Sequence, residues 1–429
     1  MNRIVQVKDV VELNLATYKK VDFPTDVKYL DTSSLTKNKV ERFQFLNIHT
    51  DVIPSRAQRK IKENTILYST VRPNQEHYGI IEKLLDNIVV STGFTTLDVI
   101  DNEINPKYLF YLLTQPHITE YLHTIATNSV SAYPSISPND LGNLKFRVPE
   151  LSTQQNIASV LSALDSKIEL NNRINAELEA MAKTLYDYWF VQFDFPFDFA
   201  QGKPNEEGKP YKSSGGKMVW NAELKREVPE GWKNGYLNSI GDIIGGSTPS
   251  KAIDENFCQG TGMPWITPKD LSMNKGKKYI TRGEWDVTEQ GLKEASLKIM
   301  PKGTVLLSSR APIGYLAIAR TNVTTNQGFK SFVPKGNFST EFIYYTVMNL
   351  IPEIEANSSG STFQEVSTST LRTIKTVIPT LEILSLYDKK IKPIFSQQDV
   401  LEEQNQKLAE LRDWLLPMLM NGQVKVSEL

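Results

Sequence analysis

The stretch Ile136-Ser137-Pro138-Asn139-Asp140-Leu141-Gly142-Asn143-Leu144-Lys145-Phe146-Arg147-Val148-Pro149-Glu150-Leu151 returns 230 residues later as Val366-Ser367-Thr368-Ser369-Thr370-Leu371-Arg372-Thr373-Ile374-Lys375-Thr376-Val377-Ile378-Pro379-Thr380-Leu381. Ser137, Leu141, Lys145, Pro149 and Leu151 keep their identity, and Ile136, Leu144 and Val148 become Val366, Ile374 and Ile378. Chance gives about one identity in so short a window. The same offset carries Leu164, Asn175, Leu178 and Leu185 onto Ile394, Asn405, Leu408 and Leu415. Upstream it drifts: Gly93-Phe94 matches Gly328-Phe329 at 235, and Tyr108-Leu109-Phe110-Tyr111 matches Phe342-Ile343-Tyr344-Tyr345 at 234. Matching elements are therefore separated by loops of unequal length. The chain reads as a mixed α/β segment followed by a long helix, written twice.

The helical part of each copy carries a seam. Leu161, Leu164, Ile168, Asn171, Asn175, Leu178, Ala182 and Leu185 alternate steps of three and four, as do Ile391, Ile394, Gln398, Leu401, Asn405, Leu408, Arg412 and Leu415. This is the a/d pattern of a coiled coil. One such helix alone fits equally well as a core helix of an ordinary domain; recurrence favours two helices packing on each other, antiparallel. Asn175 and Asn405 occupy the same seam position, where an Asn lowers stability but fixes register. Pro393 is expected near the helix start and Pro417 at its end. Each helix should run roughly 25 to 35 residues, about 40 to 50 Å. The resulting fold class is α+β: two mixed α/β domains, 1–150 and 232–380, joined by a central helix (151–190) and a distal helix (381–420) in an antiparallel coiled coil with a pseudo-twofold internal repeat. Residues 191–231, rich in Gly, Pro and Ser, read as a linker, and 421–429 as a C-terminal tail. The aromatic start of the linker, Phe193 to Phe199, is expected to pack against a helix or a partner.

Composition bounds the function. The 429 residues exceed one ordinary domain, and 40% hydrophobic with 23% charged residues are globular values. No apolar run reaches the roughly 18 residues of a membrane span. The N-terminus has no apolar core of a secretory signal, and the single Cys258 cannot form an internal disulfide. A reducing, cytoplasmic setting is expected. Net charge is −1, from 48 basic and 49 acidic residues. By segment, 1–150 holds 17 of each sign, whereas 232–380 holds 16 basic and 12 acidic, or +4. A chain of this balance that holds DNA must gather its basic residues on one face or share phosphate neutralisation with a partner.

Three strings stand out in the second segment: Pro264-Trp265-Ile266-Thr267-Pro268-Lys269-Asp270-Leu271, Ser308-Ser309-Arg310-Ala311-Pro312-Ile313-Gly314 and Thr324-Thr325-Asn326-Gln327-Gly328-Phe329. With Tyr188-Trp189-Phe190-Val191-Gln192-Phe193, the connecting string Gly208 to Met218 and Val228-Pro229-Glu230-Gly231-Trp232, they resemble the specificity subunits of type I restriction-modification systems, whose two target-recognition domains read DNA. The resemblance spans nearly the whole chain. It rests on the order of motifs within a duplicated layout, each string alone being weak. The first segment departs from the pattern: Ser69-Thr70-Val71-Arg72-Pro73 stands for the Ser308 string, Thr92-Gly93-Phe94 for the Gln327 string, and there is no Trp-Ile-Thr-Pro.

Sequence readout needs forked donors, Arg for guanine and Asn or Gln for adenine, with Lys, Ser and Thr on phosphates. The candidates of these types are Arg72, Thr267, Lys269, Ser308, Arg310, Asn326 and Gln327. Basic runs add Arg56, Arg59, Lys60 and Lys62 in one copy and Lys275, Lys277, Lys278 and Arg282 in the other. Each has a plainer alternative. Arg72 and Arg310 fit equally as strand-end arginines paired with a local carboxylate or carbonyl. Asn326 and Gln327 fit as turn residues satisfying backbone. Gly93-Phe94 and Gly328-Phe329 read as a tight turn beside a core aromatic, and basic runs are commonly solvated faces.

No catalytic motif appears. His49, His77, His117 and His123 lack the spacing of a zinc site, and there is no Walker loop, dinucleotide fingerprint, hydrolase signature or amino-methyltransferase Asn-Pro-Pro or Asp-Pro-Pro string. No metal or cofactor is expected in this chain. The resemblance implies a non-catalytic subunit whose two domains read a bipartite double-stranded DNA site across a gap set by the coiled coil. B-DNA repeats every 34 to 36 Å, so a rod of this length could place two readers about one turn apart. It also implies two modification subunits that methylate adenine with S-adenosylmethionine, and restriction subunits that use ATP and magnesium. Two other readings stand beside it: a coiled-coil scaffold whose globular ends bind proteins, favoured by the near-neutral charge, and a nuclease with its own metal-binding carboxylates.

Overall fold

The computed structural model describes residues 3–19, 21–128, 134–310, 312–358 and 364–426. The chain divides into two compact units, Met1–Ile168 with Lys407–Leu429, and Glu169–Gln406. The division falls inside both long helices rather than at the expected boundaries near 150 and 380. Ile157, Ala158 and Leu161 of the central helix are buried in the core of the first unit, and Ala182 and Tyr186 in that of the second.

In the first unit, Arg3–Gln6 pairs antiparallel with Lys145–Val148, Arg3 opposite Val148. A four-stranded antiparallel sheet has the order Tyr78–Ile81, Thr65–Ser69, Phe94–Val99, Val11–Leu13. A five-stranded sheet has the order Ala16–Thr17, Ala57–Lys60, Ile88–Ser91, Asp26–Leu30, Gln44–Asn47, with one parallel pair between Ile88–Ser91 and Asp26–Leu30. Thr65–Ser69 is buried at every position, as its unbroken, mostly apolar run suggests. Helix Pro106–Leu113 starts on a Pro that has no N–H to leave unbonded, and its cap Asn105 accepts from the Tyr108 N–H at 3.0 Å. Its Tyr108, Leu109 and Leu113 fill the core with Ile66, Tyr68 and Leu97.

The second unit repeats this plan. Lys233–Tyr236 pairs antiparallel with Lys375–Ile378, Lys233 opposite Ile378, each number 230 above its counterpart. Gly241 faces Pro334 as Val11 faces Val99, and Ser308 bridges Phe329 as Ser69 faces Phe94. The five-stranded sheet runs Gly241–Gly245, Lys330–Pro334, Val305–Leu307, Leu316–Ala319, Tyr279–Ile280; a four-stranded one runs Phe257–Cys258, Trp285–Val287, Met263–Ile266, Thr324–Thr325. Ser137 and Ser367, equivalent in the repeat, both cap short helices, accepting from the N–H three residues on.

The stretch 191–231, expected to act as a linker, is folded into the second unit. Pro196–Asp198 pairs with both Lys203–Pro204 and Lys209–Pro210, and Met218–Asn221 with Arg226–Pro229. Phe195 is buried and stacks on Tyr211 and Trp232, with ring centroids 4.7 and 5.3 Å apart. A Cβ on Gly208 would lie 2.4 Å from the Phe197 nitrogen, so this glycine answers a close backbone approach rather than flexibility.

The long helices are Leu151–Tyr186 and Leu381–Met420, 36 and 40 residues, longer than the spacing predicts. Pro393 lies well inside the distal helix, beyond its first three turns, and Pro417 does not end it. The helix continues past both because Ile391, Phe395, Leu416 and Leu419, on either side, are buried. Of the seam, Leu161, Asn171, Ala182, Ile391, Gln398 and Leu401 are buried; Leu164, Ile168, Asn175, Leu178, Leu185, Ile394, Asn405, Leu408, Arg412 and Leu415 are half-buried. In the second unit Asn171 Nδ2 donates to Asn405 Oδ1 at 2.9 Å, Asn405 Nδ2 to Asn172 Oδ1 at 2.8 Å, and Gln398 Nε2 to Glu179 at 3.1 Å. Asn405 thus finds Asn171 and Asn172, not its repeat mate Asn175, whose carbonyl accepts from Gln398 at 3.4 Å. In the first unit Arg412 donates to Asp165 at 2.8 Å, and the Tyr111 hydroxyl to the same carboxylate at 2.6 Å.

Burial pushes the Tyr68 and Tyr108 hydroxyls up to about 12, and Tyr78, Tyr111, Tyr344, Tyr345 and Tyr387 are raised further for the same first reason. Their folded values exceed the unfolded value near 10, so the stability they contribute is whole below that pH and lost as pH rises through the folded values. Lys278, lowered chiefly by burial, has the opposite sign but is a single group. The urea midpoint is expected to fall steeply as pH rises from about 10 toward 12, as checked by circular dichroism.

Candidate functional site

In the second unit the three strings meet at one turn. Met263–Ile266 runs parallel to Thr324–Thr325, and the Asn326 N–H donates to the Ile266 carbonyl at 3.1 Å. The Ser309 N–H donates to the Gly328 carbonyl at 2.8 Å, and a Cβ on Gly328 would lie 3.1 Å from Pro268. Gly328 is therefore the point where Pro268, Ser309 and the Asn326 turn close on one another. A fourth segment joins them: the Ser247 N–H donates to the Thr325 carbonyl at 3.0 Å, and its own carbonyl accepts from Trp265 Nε1 at 3.1 Å. Segments far apart in sequence are thus held mainly by backbone bonds; beside the junction Ser308, Ser309 and Thr325 are buried, whereas Arg310 and Gln327 are exposed.

The candidate side chains divide by what already occupies them. Thr267 caps helix Pro268–Met273 in a capping box with Asp270, its hydroxyl 2.6 Å from that carboxylate. Ser308 is fully buried: it donates to the Pro312 carbonyl at 2.9 Å and accepts from the Tyr315 N–H at 2.8 Å. Asn326 Oδ1 accepts from the Gly328 N–H at 2.9 Å, which is the role of a turn residue satisfying backbone. Gln327 is exposed and accepts from the Thr248 hydroxyl. Arg310 is exposed and pairs with Glu365 at 3.0 Å. Exposed Lys269 pairs with Glu284 at 2.7 Å.

The basic runs come apart in three dimensions. Lys275 and Lys277 are exposed, but Lys278 is buried, 2.5 Å from Glu179 and 2.8 Å from Gln398 Oε1, with its ammonium 3.7 Å from the Phe395 ring centroid. Arg282 is held by the buried Asp286. In the first unit Arg56 is exposed and Lys60 stands 3.7 Å from Asp22, whereas Arg59 points to the other face of strand Ala57–Lys60. Burial lowers the pKa of Arg59.

The first unit builds the same junction with different side chains. The Thr70 N–H donates to the Gly93 carbonyl at 2.9 Å, as Ser309 does to Gly328, and Val71 bridges Ser135 as Arg310 bridges Glu365. Arg310 is thus structurally equivalent to Val71. Arg72 corresponds to Ala311, which lies outside the described residues; it is exposed, with φ 49° and ψ 67° just before Pro73. A non-glycine residue in this left-handed region costs about 1 to 3 kcal/mol and marks a position held by its surroundings.

Sequence reasoning missed Lys330, Glu365 and Thr248. Lys330 lies 3.5 Å from Glu365 and 3.4 Å from Ser309 Oγ. Its signal was available, two residues beyond Gly328; Glu365 and Thr248 join only through the fold. Among the described residues no group of three or more His, Cys, Asp or Glu is placed to hold a metal ion, and no helix is long and apolar enough to cross a membrane.

The chain matches the family described as the type I restriction modification DNA specificity domain over residues 2–180 and 229–412. The HindI type I restriction enzyme specificity subunit of Haemophilus influenzae is 30% identical over 440 residues, covering 93% of this chain and 94% of that protein. The MjaIX specificity subunit of Methanocaldococcus jannaschii is 42% identical over 203 residues, 44% of this chain and 46% of that one. Among solved structures, the type I restriction-modification S subunit from M. genitalium shares the fold at a TM-score of 0.59 and 15% identity, covering 100% of this chain and 97% of its own.

A Cβ on Gly246 would fall 2.1 Å from the Asn326 carbonyl, whereas one on Gly245 meets nothing closer than 3.9 Å. Gly246→Ala is expected to destabilise by about 1 to 3 kcal/mol through overpacking, lowering the thermal midpoint by several degrees, while Gly245→Ala shifts it by much less. Differential scanning calorimetry of both variants checks this.

Proposed function

Because the chain belongs to the family of type I restriction modification DNA specificity domains, we propose that it is the DNA sequence-specificity subunit of a type I restriction-modification complex, reading a bipartite target with two domains. The observation that carries this is the double match: the family pattern falls once on each copy of the repeat, at 2–180 and 229–412. Each copy has its own junction, at Gly93 and at Gly328, and so its own candidate reading surface. The exposed forked donors beside them, Arg72 in one unit and Arg310 and Gln327 in the other, are the side chains assigned to bases. Arg56, Lys60, Lys269, Lys275 and Lys277 are assigned to phosphates, where charge fixes position without carrying sequence.

On this reading the chain is non-catalytic and directs its partners. Two modification subunits methylate adenine with S-adenosylmethionine, after extruding the base into their own pocket, and restriction subunits use ATP and magnesium. The compartment is the cytoplasm. The long helices form an antiparallel coiled coil that sets the gap between half-sites; the recurrent seam and the Asn171–Asn405 bond support this.

Methylation mapping by single-molecule sequencing tests the reading, in a host carrying this gene and its modification gene against the same host with this gene deleted. A bipartite adenine motif that vanishes on deletion is expected. An unchanged methylome, with the modification subunit active, favours the protein-binding scaffold instead. Inserting one heptad beside Asn171 and another beside Asn405 adds about 10.5 Å to each helix. The spacer is expected to lengthen by roughly three base pairs at 3.4 Å each, with both half-sites unchanged. Methylation mapping of the insertion variant checks this, and an unaltered spacer overturns the ruler.

A further inference from the structure

We propose that Glu365 is a positioning residue that orients Arg310 to read a guanine in the half-site of the second domain; this rests on the DNA-specificity reading above. Arg310 Nε lies 3.0 Å from Glu365 Oε2, and Lys330 Nζ lies 3.5 Å from Oε1. The carboxylate is therefore gripped by a cation at each oxygen. The Lys330 side chain is only 12% exposed, whereas that of Arg310 is 46% exposed. Lys330 is thus the inner anchor, and Arg310 the outer cation that reaches solvent. A guanidinium is a planar fork with five donors. Holding it at Nε leaves a pair of parallel N–H groups on its far edge, the geometry that matches O6 and N7 of guanine in the major groove. Arg310, Lys330 and Glu365 together carry +1, so the carboxylate does not turn the site against a polyanion.

The ion pair is not required to join the two segments. Their main chains are already bridged between Arg310 and Glu365, and the Val366 N–H donates to the Ser309 carbonyl at 2.9 Å. The first unit makes the comparison internally. Val71 and Ser135 form the equivalent backbone bridge with neither charge present. The bridge belongs to the fold, and the charge pair is an addition peculiar to the second domain. Fixing a long side chain before the ligand arrives removes an ordering cost that binding otherwise bears.

The test uses the full chain co-expressed with its modification subunits, acting on duplexes in which each base pair of the recognised motif is randomised in turn. Methylation is read by sequencing, and low-salt binding to unrelated duplex is measured beside it. Arg310→Ala is expected to lose roughly tenfold or more of the discrimination at a single G·C position. Glu365→Gln, which keeps shape and removes charge, is expected to lose discrimination at that same position while binding to unrelated duplex holds or strengthens. The double variant should be no less selective than Arg310→Ala alone. A Glu365→Gln variant that loses methylation equally at all positions, with weaker unrelated binding, makes the residue a structural strut and overturns the proposal. So does an Arg310→Ala variant whose affinity falls uniformly with a shallower salt dependence, the mark of a phosphate contact. A wild-type complex with no bipartite motif overturns the specificity reading itself, and the proposal with it.

Discussion

Each copy of the repeat is closed by an antiparallel pairing between its first strand and its last. Arg3–Gln6 meets Lys145–Val148, and Lys233–Tyr236 meets Lys375–Ile378. Each pairing closes a loop of well over a hundred residues, whose entropic cost grows only slowly with length. Both ends keep the offset of 230, so the drift to 235 between them marks insertions and deletions that cancel within a loop of equal length in the two copies. The pairing also sets where each long helix begins. Just beyond the last strand, after Pro149-Glu150 and Pro379-Thr380, the chain enters a long helix at Leu151 and Leu381. The residue before a proline is held extended, so the strand ends where the helix must begin.

Polar groups join the recognition fold of the second unit to the distal helix in a way that apolar packing alone would not specify. Lys278 is buried against Phe395 and bonded to Glu179, Gln398 and Tyr345, while Arg320 reaches Asp399 at 2.6 Å and Glu402 accepts from the Lys278 and Tyr279 N–H groups. Burying an ammonium costs several kcal/mol before its partners are counted, so such a cluster adds little net stability. Removing one partner leaves a buried charge uncompensated, which makes a shifted register far more costly than the correct one. Its contribution is therefore to the position of the segment Asn274–Ile280, which ends in strand Tyr279–Ile280, against the helix rather than to stability.

Much of this organisation was legible in the sequence, and the losses have physical causes. The repeat and the two long helices appear as patterns because backbone pairing and helical periodicity impose a fixed spacing; that the three strings meet at one turn did not appear in the sequence. Position inside a run was not legible. Arg59 and Lys60 are neighbours in sequence but lie on opposite faces of a strand, and Lys278 turns inward beside exposed Lys277 because Glu179 and Gln398, far away in the chain, receive it. Pro417 reads as a stop, yet Leu416 and Leu419 are buried and carry the helix past it. Gly and Pro in 191–231 read as a linker, but Pro196, Pro204 and Pro210 lie in short paired strands beside the stacked Phe195 and Tyr211.

The two junctions are alike in backbone and unlike in side chains, and this separation bears on how a duplicated reader can recognise an asymmetric site. The Thr70 N–H meets the Gly93 carbonyl and the Ser309 N–H the Gly328 carbonyl, main-chain bonds that survive substitutions preserving the turn; in the first unit the Thr70 hydroxyl adds a bond to the same carbonyl at 3.0 Å. The side chains set on that frame differ: Val71 and Ser135 in one unit, Arg310 and Glu365 in the other, and Arg72 in a strained conformation one residue further on. Because the frame does not depend on those side chains, they are free to differ between the two copies. Under the reading proposed above, a target would then change one side chain at a time while the fold beneath it stays in register.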